Sequence, residues 1–144
     1  MAEGVNFTIR ADGTSAVSRA LVQLQLSIRL HELLDEIGAS LLTSTQRRFE
    51  DEQAPSGAPW DPIQRDGSIL RDSGRLYQSL TYVAGQAQVE VGTNVVYARI
   101  HQLGGQAGRG RKVTITPRPF LGLDDADRRE LMEIVNDYVR EALP

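Results

Sequence analysis

An α+β fold follows from three features of this sequence. A proline-free stretch from about 15 to 50 carries apolar residues at helical spacing. A second such stretch lies at about 124–142. Short segments before and between them alternate with period two. Together they predict a long N-terminal helix and a C-terminal helix packed on a small, mainly antiparallel β-sheet. The 144 residues are the size of one domain, read here as spanning 1–144.

Each element has its own signal. Val5, Phe7 and Ile9 alternate with Asn6, Thr8 and Arg10, a short strand closed by Asp12-Gly13. Thr14 or Ser15 can cap the long helix. Its stripe runs through Leu21, Leu24, Ile28, Leu34, Ile37 and Leu41, broadened by Leu30 and Leu33. Gly38 costs about 1 kcal/mol in a helix interior and marks a place for a kink or break. Residues 52–68 hold Pro55, Gly57, Pro59, Pro62 and Gly67 and read as a loop, which Trp60 and Ile63 can pin to the core. Leu70 to Leu80 reads as a short helix capped at Asp72 or Ser73, with Leu76 and Leu80 facing inward. Thr81-Tyr82-Val83 and Gln88-Val89-Glu90-Val91 flank Gly85-Gln86 as a hairpin, and Gly92-Thr93-Asn94 reads as the next turn.

Tyr97, Ile100 and Leu103 then predict a short helix ended by Gly104-Gly105. Gly104 to Gly110 is expected to be a flexible loop. Val113-Thr114-Ile115-Thr116 is strand-like, and Pro117 and Pro119 stop it, so sheet and basic loop together occupy about 81–116. Asp124 caps the last helix, whose apolar face is Leu131, Ile134, Val135, Tyr138 and Val139.

Composition narrows the function classes. Hydrophobic residues make up 40% and charged residues 24%, ordinary values for a soluble protein, and aromatics at 6% make the core aliphatic. The absence of cysteine removes disulfides, thiolate metal sites and cysteine nucleophiles together, and fits a reducing compartment. No apolar run approaches the ~20 residues that span a bilayer, and the first residues read as no signal peptide. A net charge of -3 argues against a basic footprint over the whole protein. The charge is uneven, however. Arg109, Arg111, Lys112 and Arg118 occur with no acid among them, whereas 124–141 holds seven acids against three arginines. A basic loop and an acidic helix suggest complementary contacts between copies of the chain.

Catalytic constellations are incomplete. His31-Glu32-Leu33-Leu34-Asp35 begins like a zinc-protease motif, but its second histidine position is Asp35; it reads as a solvated helix stripe. His101 could act as a base beside Arg99 or Arg118, yet no nucleophile elbow or metal set accompanies it, so it reads as a residue that packs and fixes a loop. The glycine-rich 104–112 stretch lacks the Lys-Ser/Thr ending of a phosphate loop. Three readings of it stay open: contact with DNA phosphate, an arm that orders on a partner, or plain flexibility. Trp60 reads as a core anchor for its long loop. No cofactor, metal or small-molecule substrate is expected.

An ordered set of segments carries a family resemblance. Phe49-Glu50 closes the long helix and is followed by Pro55, Gly57 and Trp60, then by Ile69-Leu70-Arg71-Asp72-Ser73-Gly74-Arg75-Leu76. Next come Val91-Gly92-Thr93-Asn94, Tyr97-Ala98-Arg99-Ile100-His101-Gln102-Leu103-Gly104 and Pro117-Arg118-Pro119-Phe120-Leu121-Gly122. The set resembles the phage virion morphogenesis family, the tail-completion proteins of Mu-like and related tailed phages, over roughly 15–141. The resemblance implies a non-enzymatic structural protein of the virion neck. It would work at the head–tail junction as a homo-oligomeric ring, located in the virion and, during assembly, in the host cytoplasm. Its implied partners are further copies of itself and other neck or tail proteins, with no membrane. On that reading Trp60, Tyr97, His101, Gln102 and Phe120 are framework residues. Arg109, Arg111, Lys112 and Arg118 face a neighbouring subunit or DNA in the ring lumen. The alternative is a small DNA-associated module that uses the basic loop 109–118.

Overall fold

The computed structural model describes residues 4–10 and 27–142. The Asp12-Gly13 turn, the cap at Thr14 or Ser15 and the stripe positions Leu21 and Leu24 lie outside the described residues. Strand β1 (Val5–Arg10) comes first, followed by helix α1 (Ser27–Asp51) and the short helix α2 (Arg75–Ser79). Strands β2 (Thr81–Ala84) and β3 (Gln88–Thr93) form the expected hairpin, and helix α3 (Ala98–Leu103) follows. Strands β4 (Gly105–Ala107) and β5 (Val113–Ile115) flank a 3-10 turn at Arg109–Arg111, and α4 (Asp125–Ala142) comes last.

The main sheet has the order β1-β3-β2 and is antiparallel throughout. Phe7 and Ile9 stand opposite Val91 and Val89, and Tyr82 and Ala84 oppose the same two valines from the other side. The period of two therefore gathers the apolar side chains on one face. Helix α1 lies across that face, and α4 packs along α1. Leu33, Leu34, Ile37 and Leu41 of α1 meet Val89 and Val91 of β3, with Leu76, Leu80 and Ile134 closing the core. The class is α+β, as the sequence predicts.

Several local features differ from the sequence reading, each for a physical reason. Gly92 and Thr93 are the end of β3 rather than a turn, because β1 supplies pairing partners at Asn6 and Val5. The expected helix from Leu70 shortens to α2. Leu70 has a left-handed φ of 60°, and the Ile69 N–H is taken by the Glu52 carboxylate at 3.0 Å. The loop after Gly104 is a hairpin: Gln106 pairs with Thr114 and Ala107 with Val113. Its glycines serve the turn rather than looseness, since Gly108 and Gly110 take φ of 80° and 70°. Val139 is 38% exposed. It lies roughly a quarter turn from the centre of the stripe that Leu131, Ile134, Val135 and Tyr138 form at i, i+3, i+4 and i+7.

Helix α1 runs through Gly38 without interruption. The glycine is there for closeness: a Cβ at this position would sit 2.3 Å from Tyr82 Cδ2 and 2.9 Å from Val89 Cγ2. Helix and sheet touch at this point with no room for a side chain. The Tyr82 hydroxyl then reaches over and donates to Asp35 at 3.0 Å. Gly38→Val should therefore destabilise the fold by about 1–3 kcal/mol through overpacking, which urea unfolding would register as a lower midpoint.

Candidate functional site

The segment from Pro117 to Gly122 enters the core and belongs to no helix or sheet. Phe120 is fully buried and Leu121 nearly so, which obliges their backbone groups to find partners. Side chains supply them. Gln102 Oε1 accepts from the N–H groups of both Phe120 and Leu121 at 3.0 Å, and its Nε2 donates to the Leu121 carbonyl at 3.0 Å. Trp60 Nε1 donates to the Pro119 carbonyl at 2.8 Å. Arg48 Nη1 donates to the Phe120 carbonyl at 3.1 Å. The Phe120 ring meets Phe49 at 5.3 Å between centroids, and Trp60 meets the same Phe49 edge-on at 5.4 Å.

Arg48 ties this segment to α4. Its Nη2 donates to the carboxylates of Asp127 and Asp124, and its side chain is 6% exposed. The two aspartates cap the helix reciprocally. Asp127 N–H donates to Asp124 Oδ1 at 2.7 Å, and Asp124 N–H donates to Asp127 Oδ2 at 3.0 Å. Burial raises the Asp124 pKa, but the Asp127 N–H and the Arg48 guanidinium outweigh it and hold the group below the ordinary carboxylate range. Arg48 carries a signal that the sequence reading passed over. It lies seven residues beyond Leu41 on the same helical stripe, so a cation there must be paired inside.

The predicted loop cations separate into two places. Arg109, Arg111 and Lys112 are exposed on the β4–β5 hairpin, beside Val113, which is 53% exposed. None of the three makes an ion pair among the described residues. Arg118 stands apart from them. Its Nε and Nη2 donate to the carbonyls of Asp61 and Pro62 at 2.9 and 3.1 Å, and its own N–H donates to the His101 carbonyl at 2.7 Å. His101 packs edge-on against Tyr97 at 5.9 Å. Burial first, and then the charge of Arg118, lower its pKa from 6.5. The residues Arg118, His101 and Tyr97 line one wall of a cleft of about 350 Å³, and Leu70 to Leu76 line the other. The sequence reading did not single out Arg65 and Arg75 of this cleft; Arg65 lies in the long loop and Arg75 begins α2, and Asp66 and Asp72 nearby leave neither standing out.

His31 and Asp35 have protein partners. His31 Nδ1–H donates to the Gly85 carbonyl at 3.1 Å, and Asp35 accepts from Tyr82. The pair tethers α1 to the β2–β3 hairpin. No group of three or more metal-ligating side chains occurs among the described residues, and no described helix is long and apolar enough to cross a membrane.

The frame spends its buried polar groups on fixing loops, and comparison with known proteins gives the chain its class. The chain belongs to the phage virion morphogenesis family, whose sequence model matches residues 12–140, and is thus a structural protein of virion assembly. It is similar to the Mu-like prophage FluMu G protein 2 of Haemophilus influenzae, with 35% identity over 132 residues covering 90% of this chain and 94% of that protein. It is also similar to the putative capsid assembly protein G of Escherichia phage Mu, with 30% identity covering 80% of this chain and 91% of that protein. No solved structure matches the chain.

Two outcomes test this geometry. Gln102→Leu strands the N–H groups of Phe120 and Leu121, so unfolding free energy should fall by at least about 2 kcal/mol, measured by urea denaturation. The second concerns pH. His101 is held neutral in the fold, so its contribution is complete above the unfolded value of about 6.5 and is lost as pH falls below it. Asp124 has a depressed pKa, so its contribution is present above about 3.9 and is lost as pH falls through the lower folded value. Urea midpoints should therefore drop in two windows, with His101→Gln flattening the first and Asp124→Asn diminishing the second.

Proposed function

We propose that this chain is a structural component of the phage neck that acts in tail completion or head–tail joining as a homo-oligomeric ring. The observation that carries this reading is the pair of oppositely charged, separately placed surfaces on one chain. The β4–β5 hairpin hangs from the end of α3 and exposes Arg109, Arg111 and Lys112. Helix α4 lies on α1 and exposes Glu130 and Glu133, while its exposed Asp125 and Asp137 pair with Arg128 and Arg140. Each surface also shows a large apolar side chain: Val113 on the hairpin and Met132, 59% exposed, on the helix. Two different patches that complement each other join copies head to tail, and head-to-tail contacts close into rings when the rotation permits. The relative from phage Mu is described as a putative capsid assembly protein, which suits a station where capsid and tail meet.

The sequence holds no cysteine, so introduced thiols report this contact cleanly. A chain carrying both Lys112→Cys and Glu133→Cys should form a disulfide ladder beyond the dimer on oxidation, and each single variant should stop at the dimer. Native mass measurements on the unmodified chain should show an oligomer that rises with concentration. A monomer at all concentrations with no ladder overturns the ring. The unpaired hairpin cations favour one second reading, a DNA-associated module. Salt-sensitive duplex binding that disappears in Arg109→Ala with Arg111→Ala, in a chain that stays monomeric, would support it.

A further inference from the structure

The cleft beside α3 has a charge pattern that the ring contact does not use. Three arginines line it: Arg65, Arg75 and Arg118. Arg75 and Arg118 are held in place by neutral groups, and Arg65 by carbonyls and a long ion pair with Asp72. Arg65 donates to the carbonyls of Asp66 and Ser68 at 3.1 and 2.9 Å, and Arg118 donates to those of Asp61 and Pro62. Arg75 lies over the Tyr97 ring at 5.7 Å. Carbonyls and rings orient a guanidinium without neutralising it. Asp72 is the one acid among the described lining residues; it approaches Arg65 only to 3.8 Å, and its side chain is 83% exposed. The cleft is therefore cationic in a chain whose net charge is -3. His101 also lines it, and the His101 Nδ1 is buried with no hydrogen-bond partner among the described residues.

The remaining walls are apolar: Ile63, Leu70, Leu76 and Tyr97. This mixture discriminates between anionic partners. A nucleic-acid backbone offers phosphates in a row and nothing apolar to bury. A carboxylate beside an aliphatic side chain matches both halves of the cleft, because arginine forks take carboxylates by paired hydrogen bonds and the apolar floor takes the neighbour.

We propose that the cleft between the 63–76 segment, α3 and Arg118 docks a short acidic–apolar peptide segment of another virion protein, with a Glu or Asp side chain received by Arg75, Arg65 and Arg118. The site stands independently of the hairpin and α4 contact, so it survives or fails apart from the ring.

The test is an NMR titration of the full isotope-labelled chain with the peptide acetyl-Gly-Leu-Glu-Leu-Gly-amide. Its Gln counterpart, inorganic phosphate and a short DNA duplex are titrated in parallel. The Glu peptide should shift the Tyr97 and His101 ring signals saturably and raise the His101 pKa, and it should bind about tenfold more tightly than the Gln peptide. Arg75 is exposed and its side chain rests on the Tyr97 ring, so Arg75→Gln should abolish that preference while lowering the unfolding midpoint only slightly. Equal binding of the Glu and Gln peptides, no binding of either, or an unaltered preference in Arg75→Gln overturns the proposal. So does displacement of the Glu peptide by phosphate or duplex DNA at equal or lower concentration, which would make the cleft a phosphate site.

Discussion

The structure depends on one constraint, the need to satisfy an irregular backbone segment buried without a sheet. From Arg118 to Leu121 the chain passes through the core, and its amides and carbonyls cannot remain bare there. Trp60, Gln102 and Arg48 meet that need from three separate parts of the chain, a loop, a short helix and the long helix. The result is a knot in which the long loop after α1, the root of the hairpin and the start of α4 are all fixed by reference to the same few atoms. Loss of any one partner leaves a buried polar group exposed to nothing, which costs more than the bond itself contributes.

That economy explains how an assembly protein of this size can present precise surfaces. The long loop carries little regular structure of its own, yet it is ordered. Its tryptophan packs on Phe49, its backbone bonds to Glu52, and Glu52 in turn reaches Ile69. Arg48 is a buried cation, costly alone, and it is accommodated because two carboxylates and a carbonyl surround its fork. With the frame fixed from inside, the hairpin and the cationic cleft are left to project chemistry outward. Both flank the same short helix.

Much of this was legible in the residues. The alternation of Val5, Phe7 and Ile9, the paired segments around Gly85, the helix ended at Gly104 and the cap at Asp124 all follow from short-range rules. Short-range stereochemistry and amphipathic spacing act the same way in any fold. The readings that changed did so where a distant partner decides. Gly38 looked like a weakness in a helix and is a contact point, since only the position of Tyr82 reveals the need for a missing Cβ. The glycines after 104 looked like flexibility; Val113 and Thr114, read as the next strand, turn them into a hairpin.

The basic character of 109–118 was plain from the sequence, but its division was not. Arg109, Arg111 and Lys112 reach solvent on the hairpin, whereas Arg118 is drawn to the carbonyls of Asp61 and Pro62 and helps form a cleft with Arg65 and Arg75. The sequence by itself determined the fold class and the uneven charge, because these rest on periodicity, turn chemistry and composition read along the chain, and it carried the family through the resemblance of an ordered set of segments. Only the tertiary structure decided which charges stand together, because residues far apart in the chain share a site only after the buried 118–121 segment has drawn its partners around it.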